Sequence, residues 1–409
     1  MNGTTAEPGT ASAEWRAHWP LTVAAMIGFS TIGLQSYGFG AFAGPVEKAF
    51  GWTRAETMFG VTVAMFLGIF LNILVGLFVD RFGSRRVAIA GLFVLPGAFA
   101  LLGTATGGWV NWWLLWVAIA IGVVLVQATV WTGPIAARFD KSRGLALAVV
   151  MSGAPLSLMI QPKLATWLIE AIGWRHGFMA LGVIWIALTL PLVLLFFRDP
   201  PQREQVAASG PALAGLDFGE GIRTRAFWGL VISFAAFSFY NMTIATNLIL
   251  MLGEKGIAAT QAASLMFVMG IVGLFARLGV GWLLDRLPGN LIGMCTQLLP
   301  VIGAALLMGD NPGTMILLAV IGMFGLATGA EIDVVLYQAT RHFGLKAFGT
   351  LFSGIITFGA LFAAIGPATA GWLHDRTGSY NSLLVVVMVL MAIGALGMAM
   401  TGRARRDWS

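Results

Sequence analysis

The stretch SLMFVMGIVGLFARLGVGWLLDR, residues 264–286, decides the fold of this chain. A helix that crosses a bilayer needs about 20 consecutive, mostly apolar residues, and this stretch supplies them. One full positive charge, Arg277, nevertheless lies well inside it. Because an arginine at the centre of a membrane helix costs about 2.5–3.5 kcal/mol on insertion scales, we expect it to be held by a carboxylate of the protein and by a carboxylate of a ligand.

The rest of the chain has the composition of a protein that lies in lipid. Of its 409 residues, 58% are hydrophobic and only 10% are charged, whereas soluble domains carry about 25% charged residues. The net charge of +6 comes from residues between the apolar runs, so we interpret it as a topology signal and expect no nucleic-acid partner. The single cysteine, Cys295, excludes an intramolecular disulfide and a cysteine-rich metal site.

Twelve apolar runs are candidate membrane spans. Because backbone polar groups inside a bilayer must be satisfied within the segment, we expect all twelve to be helices, which makes an all-α membrane protein. The runs occupy residues 20–44, 56–79, 87–106, 111–137, 144–171, 175–197, 226–252, 259–284, 290–308, 313–340, 347–373 and 380–401.

The polar segments between the runs predict the orientation and the domains. Most of the 24 Lys and Arg residues fall in alternate loops, which predicts that both termini are cytoplasmic. The longest polar interruption, 198–224, follows six spans. We interpret it as a cytoplasmic linker between two six-helix halves, 19–197 and 225–401. Residues 1–18 lack the pattern of a signal peptide and are predicted to be a disordered tail, and 402–409 form the C-terminal tail.

The two halves repeat at an offset of 205 positions. The correspondence places Gly76, Asp80 and Arg81 on Gly281, Asp285 and Arg286, and it places Pro162, Trp167 and Gly173 on Pro367, Trp372 and Gly378. Pseudo-symmetric halves with a binding site at their interface are typical of many secondary transporters.

The loop after the second span resembles a known family. Residues 76–86 read GLFVDRFGSRR and are similar to the signature G-x-x-x-D-R-x-G-R-[KR] of the major facilitator superfamily, with Ser84 where a basic residue is usual. The resemblance covers nearly the whole chain. It implies a transporter rather than an enzyme, a monomer without cofactors, and a location in the inner or plasma membrane. It also implies a cytoplasmic gate between the halves, although plain topology would explain Arg81 and Arg86 equally well. The gate residues are Gly76, Asp80, Arg81, Gly83, Arg86, Asp285 and Arg286.

Two further stretches resemble the monocarboxylate porters and the oxalate–formate exchangers of that superfamily. They are RFDKSRGLA at 138–146 and Arg277 followed by Gly281. The porters often carry an aspartate four residues before this arginine, where the present chain has Gly273, and some carry a lysine in the first span, where this chain has none. The oxalate exchanger has a second cation in span eleven. Ile355 stands there in this chain, which argues against a small dicarboxylate.

Four ionisable residues lie clearly inside the runs: Lys163, Arg277, Glu331 and Asp333. At about 1.5 Å per residue, the last three share one depth, whereas Lys163 lies on the other side of the bilayer midplane. Glu331 and Asp333 point about 200° apart on a helix, so they cannot both face the central cavity; we expect one to face Arg277 or the cavity and the other to pack against a neighbouring helix. Both acids are candidates for proton coupling, and the sequence leaves open which of them titrates. We favour Asp333 for structural pairing, because it begins a polar stripe at i, i+4 and i+8, and Glu331 as the proton site that pairs with Arg277.

These charges predict proton symport of a small organic monocarboxylate. Arginine offers a planar fork that matches a carboxylate, and protonation of Glu331 would release Arg277 for the anion. A fixed ion pair between two helices is the alternative for Arg277. Efflux of amphipathic compounds, for which Met and Phe would supply a pliant cavity, and organic-anion exchange are the alternative functions. No enzyme motif is present, and all four histidines lie at span ends or in tails.

Further polar residues at span centres either line the ligand path or bond across helices. Lys163 is either a second cation for the ligand or a side chain that reaches the outer headgroups. The others are Tyr37, Gln127, Tyr240, Asn241 and Asn247.

Overall fold

The computed structural model describes residues 11–139, 141–199, 215–284, 286–309, 312–344 and 346–402; within them, the side chains of 72–74, 76, 80 and 278 are not described. This part of the chain is almost entirely helical. Its α-helices are α1 Ala11–Phe29, α2 Tyr37–Phe50, α3 Arg54–Phe82, α4 Ser84–Leu101, α5 Trp109–Leu125, α6 Ala128–Ala136, α7 Arg143–Met151, α8 Gly153–Phe196, α9 Phe218–Gly221, α10 Arg225–Glu254, α11 Ala259–Leu284, α12 Gly289–Leu307, α13 Thr314–Phe343, α14 Phe348–Thr377 and α15 Asn381–Thr401.

Eleven helical runs in the described residues are long and apolar enough to cross a membrane. One of them, Arg143–Phe196, has 54 residues, which is far longer than a single span requires. Gly173 interrupts it with φ 78° and ψ 162°, and α8 residues on either side of this glycine are numerous enough for one span each. The eleven runs therefore accommodate the twelve predicted spans, and the all-α membrane fold is confirmed.

The N-terminal segment differs from the prediction. Helix α1 begins at Ala11, so residues 11–18 are helical, and only 1–10 of the predicted disordered tail lie outside the described residues. The carboxylate of Glu14 accepts hydrogen bonds from the backbone N–H groups of Lys141 (2.9 Å) and Ser142 (3.1 Å). These contacts, made with residues distant in sequence, hold the polar segment in place.

The described residues divide into two compact units. The first contains those within Met1–Gln35, Phe70–Ser157 and Leu168–Gly210, and the second contains the remainder of the described chain. In the first unit, the Trp131 ring lies 5.1 Å from that of Phe197 in a buried aromatic and aliphatic core. The indole N–H of Trp131 donates to a carbonyl oxygen, 3.0 Å away, so the large apolar side chain is buried without an unsatisfied donor.

The second unit contains two segments from the predicted N-terminal half, 36–69 and 158–167. Helix α2 packs on α10, because Gly40 lets the two backbones approach: a Cβ at Gly40 would lie 2.9 Å from the carbonyl oxygen of Thr246. Residues 200–214 of the predicted linker lie outside the described residues, and the division into halves at 198–224 stays a prediction.

Helix α10 is central in the second unit and packs against α14 and α15, while α13 packs against α11 and α12. The contact between α11 and α13 is unusually close. A Cβ at Gly329 would collide with the carbonyl oxygen of Gly273, and a Cβ at Gly325 would lie 2.6 Å from that of Met269. Glycines four residues apart let membrane helices approach closely. This glycine crossing, formed by Gly273, Gly325 and Gly329, sets the distance between α11 and α13.

Candidate functional site

The charged pair of the second unit joins α11 to α13. Arg277 Nε lies 3.1 Å from Asp333 Oδ2, and Arg277 Nη2 donates to Asp333 Oδ1 at 3.1 Å. Gly273 and Gly329 lie one helical turn from the two charged residues, so the glycine crossing brings the side chains together. A charge-assisted hydrogen bond between a guanidinium and a carboxylate is about twice as strong as one between neutral groups, and the close approach at Nε adds Coulombic attraction. Asp333 therefore occupies the face of Arg277 that a ligand carboxylate would use.

The pair lies within the unit rather than at its apolar surface. The Arg277 side chain is 10% exposed and that of Asp333 is 27% exposed. Phe275, two residues before Arg277, is 67% exposed and points about 200° away around the helix. Helix α11 thus turns an aromatic side chain to the outside of the unit and its charge to α13, and Asp333 keeps part of its surface exposed.

The expected pairing of Glu331 with Arg277 is wrong. The glycine crossing turns the side of α13 that carries Asp333 toward α11, and Glu331 lies on another side because two residues rotate a helix by about 200°. Glu331 is 1% exposed. The sequence therefore predicts correctly that one acid faces Arg277 and the other packs against neighbouring helices, but it exchanges the two roles.

Three uncharged donors surround Glu331. Ser233 Oγ and Gln297 Nε2 donate to its Oε1 at 3.1 and 2.8 Å, and Thr296 Oγ1 donates to its Oε2 at 2.9 Å. These donors belong to α10 and α12, so the carboxyl group joins three helices. Sequence reasoning missed them, although Ser233, Thr296 and Gln297 are polar residues inside apolar runs.

Two of the three polar residues predicted on α10 bond across helices, and the third, Asn247, donates within α10. Tyr240 Oη donates to the carbonyl oxygen of Phe324 at 3.3 Å, and Asn241 Nδ2 donates to Thr328 Oγ1 at 3.3 Å. Asn247 is fully buried and donates to the carbonyl oxygen of Thr243. Of the three predicted side chains, Asn241 alone is half-buried, so it is the best placed to meet a ligand.

The remaining predicted ligand residues are Lys163, Tyr37 and Gln127. The exposed Lys163 places its Nζ 5.5 Å from the centroid of the Phe267 ring, a cation–π contact. Tyr37 is buried at the start of α2. Gln127 is half-buried and precedes α6 in the first unit.

Part of the predicted cytoplasmic gate lies in the described residues. Gly83, with φ 82°, precedes α4, and the first turn of that helix is bound by Asp199, which accepts the backbone N–H of Arg85 at 2.9 Å. Arg86 is exposed. Arg81 lies 5.4 Å from the ring centroid of its neighbour Phe82.

The copy of the gate in the second half is described only in part. Arg286 lies 3.8 Å from the ring centroid of Trp282, on its own helix. Asp285 lies outside the described residues, as does the side chain of Asp80. Gly76 is described only as part of the α3 backbone. The pairing of the gate residues between halves therefore stays a prediction.

Comparisons with known proteins agree with this architecture. Residues 25–367 match the family model described as Major Facilitator Superfamily. Monocarboxylate transporter 11 of Mus musculus is 24% identical over 341 residues, which are 77% of this chain and 72% of the mouse protein. Monocarboxylate transporter 4 of Gallus gallus is 24% identical over 392 residues, 87% of this chain and 76% of the chicken protein.

A bacterial relative and a solved structure match over more of their length. The uncharacterized MFS-type transporter YcxA of Bacillus subtilis is 22% identical over 390 residues, 89% of this chain and 91% of the relative. The crystal structure of a bacterial homologue of the human lysosomal transporter Spinster, inward-facing and occupied, superposes with a TM-score of 0.74 at 16% sequence identity. It covers 97% of this chain and 98% of the other, and this likeness shows the fold.

Proposed function

The chain belongs to the Major Facilitator Superfamily, and we propose that this multi-pass membrane transporter carries a small organic monocarboxylate by proton symport with alternating access. The observation that carries the proposal is the two-contact pair between Arg277 and Asp333 inside the apolar helices. The monocarboxylate transporters among its relatives support the choice of cargo.

Arg277 is the proposed anion-binding residue. Its guanidinium cannot lose its proton, and its planar fork matches a carboxylate. A single guanidinium suits a cargo with a single negative charge. Ile355, which is fully buried, stands where the resemblance to the oxalate exchanger would place a second cation, so a dicarboxylate would leave one charge without a partner.

Proton coupling follows from competition for Arg277. Before the cargo binds, the Asp333 carboxylate pairs with the Arg277 guanidinium. A proton on Asp333 removes its negative charge and weakens this ion pair. The cargo carboxylate then takes its place. Proton and monocarboxylate together are neutral, so their joint transfer avoids most of the cost of moving an anion through a medium of low dielectric constant. Linkage requires that cargo binding strengthen proton binding by the same factor.

Glu331 is a second candidate for a proton site. Burying an ionised carboxylate beside uncharged partners is costly, and binding a proton removes that cost. Its hydrogen bonds to α10 and α12 place a change of protonation where three helices meet. Asp333 thus competes directly with the cargo, whereas Glu331 acts on the packing of the helices.

The orientation, membrane and assembly state complete the proposal. The distribution of Lys and Arg between loops supports cytoplasmic termini, and location in the inner or plasma membrane is proposed from the resemblance to the superfamily. A monomer is proposed from the resemblance to the superfamily alone.

The test is uptake by proteoliposomes under an imposed pH gradient, with a panel of labelled monocarboxylates and cationic dyes. We expect the wild type to accumulate a carboxylate when the proton gradient points inward, and Arg277→Gln to lose this uptake. Arg376→Gln is the matched control, because it removes one exposed cation that lies over Trp372. Carboxylate uptake by Arg277→Gln at the wild-type rate would refute the anion site. Transport of dyes alone would favour efflux, and uptake that needs a second carboxylate inside would favour exchange.

A further inference from the structure

The second unit contains another charged cluster, at the end predicted to face outward. Its centre is Arg54, the first residue of α3. Arg54 Nε lies 3.2 Å from Glu47 Oε1, and Arg54 Nη1 lies 3.2 Å from Glu254 Oε1. Glu47 lies on α2 and Glu254 ends α10. One guanidinium therefore connects segments about 200 residues apart in the chain.

Asp375 of α14 binds the same helix start from another side. Its Oδ1 accepts the backbone N–H of Arg54 at 3.1 Å, and its Oδ2 accepts that of Ala55 at 2.9 Å. The first N–H groups of a helix have no partner within the helix and favour a negative charge. Gly371 permits the approach, because a Cβ there would lie 2.5 Å from the Cα of Ala55. Backbone contact and carboxylate cap thus join α3 to α14.

Two aromatic side chains complete the cluster. His374 Nε2 contacts Glu254 Oε1, and the backbone N–H of Tyr380 donates to Glu254 Oε2 at 3.3 Å. The Tyr380 ring lies 5.3 Å from the Arg54 guanidinium carbon. Burial raises the pKa of the Tyr380 phenol, so its hydroxyl stays protonated and donates to Asn247 Oδ1 at 3.1 Å.

We infer that this cluster, defined by Glu47, Arg54, Glu254, His374 and Asp375, is the outer gate of the transporter, with Arg54 as its central positioning residue. The inference rests on the proposed transport function. In alternating access, one half rocks against the other around the binding site. Residues 47 and 54 belong to the predicted N-terminal half and the other three to the C-terminal half, so cargo exchange on the outer side requires these contacts to break.

The chemistry of the cluster suits a contact that opens repeatedly. Ion pairs with access to water contribute only about 0.2–1 kcal/mol each, because water replaces the partner when the pair separates. The side chains of Arg54 and Glu254 are 16% and 29% exposed. A cavity of about 270 Å³, lined in part by Glu254, Lys255, Tyr380 and Asn381, gives water a place beside the cluster. An apolar seal would lose its stabilisation on opening without such replacement.

The test uses a cysteine reporter beneath the gate. In a Cys295→Ala background, which lacks other cysteines, Ala245→Cys places a thiol on α10 near the backbone approach of Gly40. Ala245 is 3% exposed, and a Cβ at Gly40 would lie 3.2 Å from its carbonyl oxygen. Intact cells are treated with a membrane-impermeant maleimide. We expect Arg54→Gln to raise the labelling rate about tenfold, which corresponds to about 1.4 kcal/mol in the opening equilibrium.

Three further variants make the result decisive. Lys48→Gln removes an exposed cation from the last turn of α2 and should leave the labelling rate unchanged. Asp375→Ala, which removes the helix cap, should raise it as Arg54→Gln does. A second reporter, Ala339→Cys, lies in a fully buried position of α13 and should stay unlabelled in every variant.

Three outcomes would refute the assignment of this cluster as the outer gate. An unchanged rate in both Arg54→Gln and Asp375→Ala would show that the cluster does not hold this end closed. An equal rise with Lys48→Gln would assign the effect to net charge, and a rise at both reporters would assign it to loss of structure. The labelling needs no cargo, so failure of the monocarboxylate proposal in the uptake assay remains separate from failure of the gate.

Discussion

Replacement of Asp333 by asparagine tests the competition between this acid and the cargo. The change keeps the size of the side chain but removes its charge and one of the two acceptor oxygens that face Arg277. In the wild type, an incoming carboxylate must displace a partner held by two contacts of 3.1 Å. The variant removes most of that competition, so we expect it to bind the cargo more tightly while losing its coupling to protons.

The magnitude follows from the geometry of the pair. A hydrogen bond to a charged group contributes about 1.5–3 kcal/mol net. The lower end applies here, because the two side chains share one hydrogen bond and 27% of the Asp333 side chain is exposed. Loss of about 1.4 kcal/mol of competition raises the affinity about tenfold. In the wild type the affinity should rise as the pH falls, since a proton on Asp333 releases Arg277. In Asp333→Asn the affinity should not depend on pH over the same range.

The assay is equilibrium binding of a labelled monocarboxylate to the purified transporter at an acidic and at a neutral pH. The thermal unfolding midpoint gives a second readout, because a ligand that binds the folded state more tightly stabilises it further. Glu331→Gln is the control, since it removes the other acid of α13 and leaves the Arg277–Asp333 contacts in place. Weaker binding by Asp333→Asn, or a pH dependence equal to that of the wild type, would refute the competition.

Three further predictions concern the parts that support the site. Gly329→Ala should force α11 and α13 apart and reduce carboxylate uptake to the level of Arg277→Gln, whereas Gly322→Ala on the same helix, where a Cβ meets nothing within 4 Å, should transport normally; equal uptake by both variants would contradict the role of the glycine crossing. Glu331→Ala should lower the free energy of unfolding by about 1–3 kcal/mol more than Glu331→Gln, because it leaves buried donors without an acceptor. Thermal or denaturant unfolding measures this difference, and equal stability of the two variants would contradict the prediction. Glu14→Ala should release residues 11–18 from the loop at Lys141 and Ser142 and lower the free energy of unfolding by about 1 kcal/mol, a value typical of a capping contact. Limited proteolysis of this segment should become faster. An unchanged cleavage rate would argue against the contact between Glu14 and the loop.

The sequence predicted the parts of the site that depend on local pattern. The length of the apolar runs predicted the membrane fold, and the position of Arg277 within one of them predicted that a carboxylate must hold it. The spacing of Glu331 and Asp333 predicted that they point to different sides of one helix. The choice between the two acids depends on the rotation of α13 against α11. Gly325 and Gly329 set that rotation, and their four-residue spacing was the available signal.

Other features depend on contacts between distant parts of the chain. Arg54 counted in the sequence as one loop cation among several, because its partners Glu254 and Asp375 lie 200 and 321 positions away. The donors around Glu331 come from two other helices. The run at 11–18 has a polar composition typical of an unstructured segment, and its order depends on the contact between Glu14 and Lys141. Periodicity and composition carry no information on such pairings.

The cross-helix position of Asp333 has a mechanical consequence. In the porters that the sequence resembles, the aspartate often lies four residues before the arginine, so acid and base belong to the same helix. Here Gly273 occupies that position and gives its space to the backbone of α13, and the acid comes from the neighbouring helix. If Asp333 is the proton site, as proposed, each proton that binds to it weakens an ion pair between two helices, α11 and α13. In that mechanism, protonation of Asp333 and the release of α11 to move against α13 would be the same step.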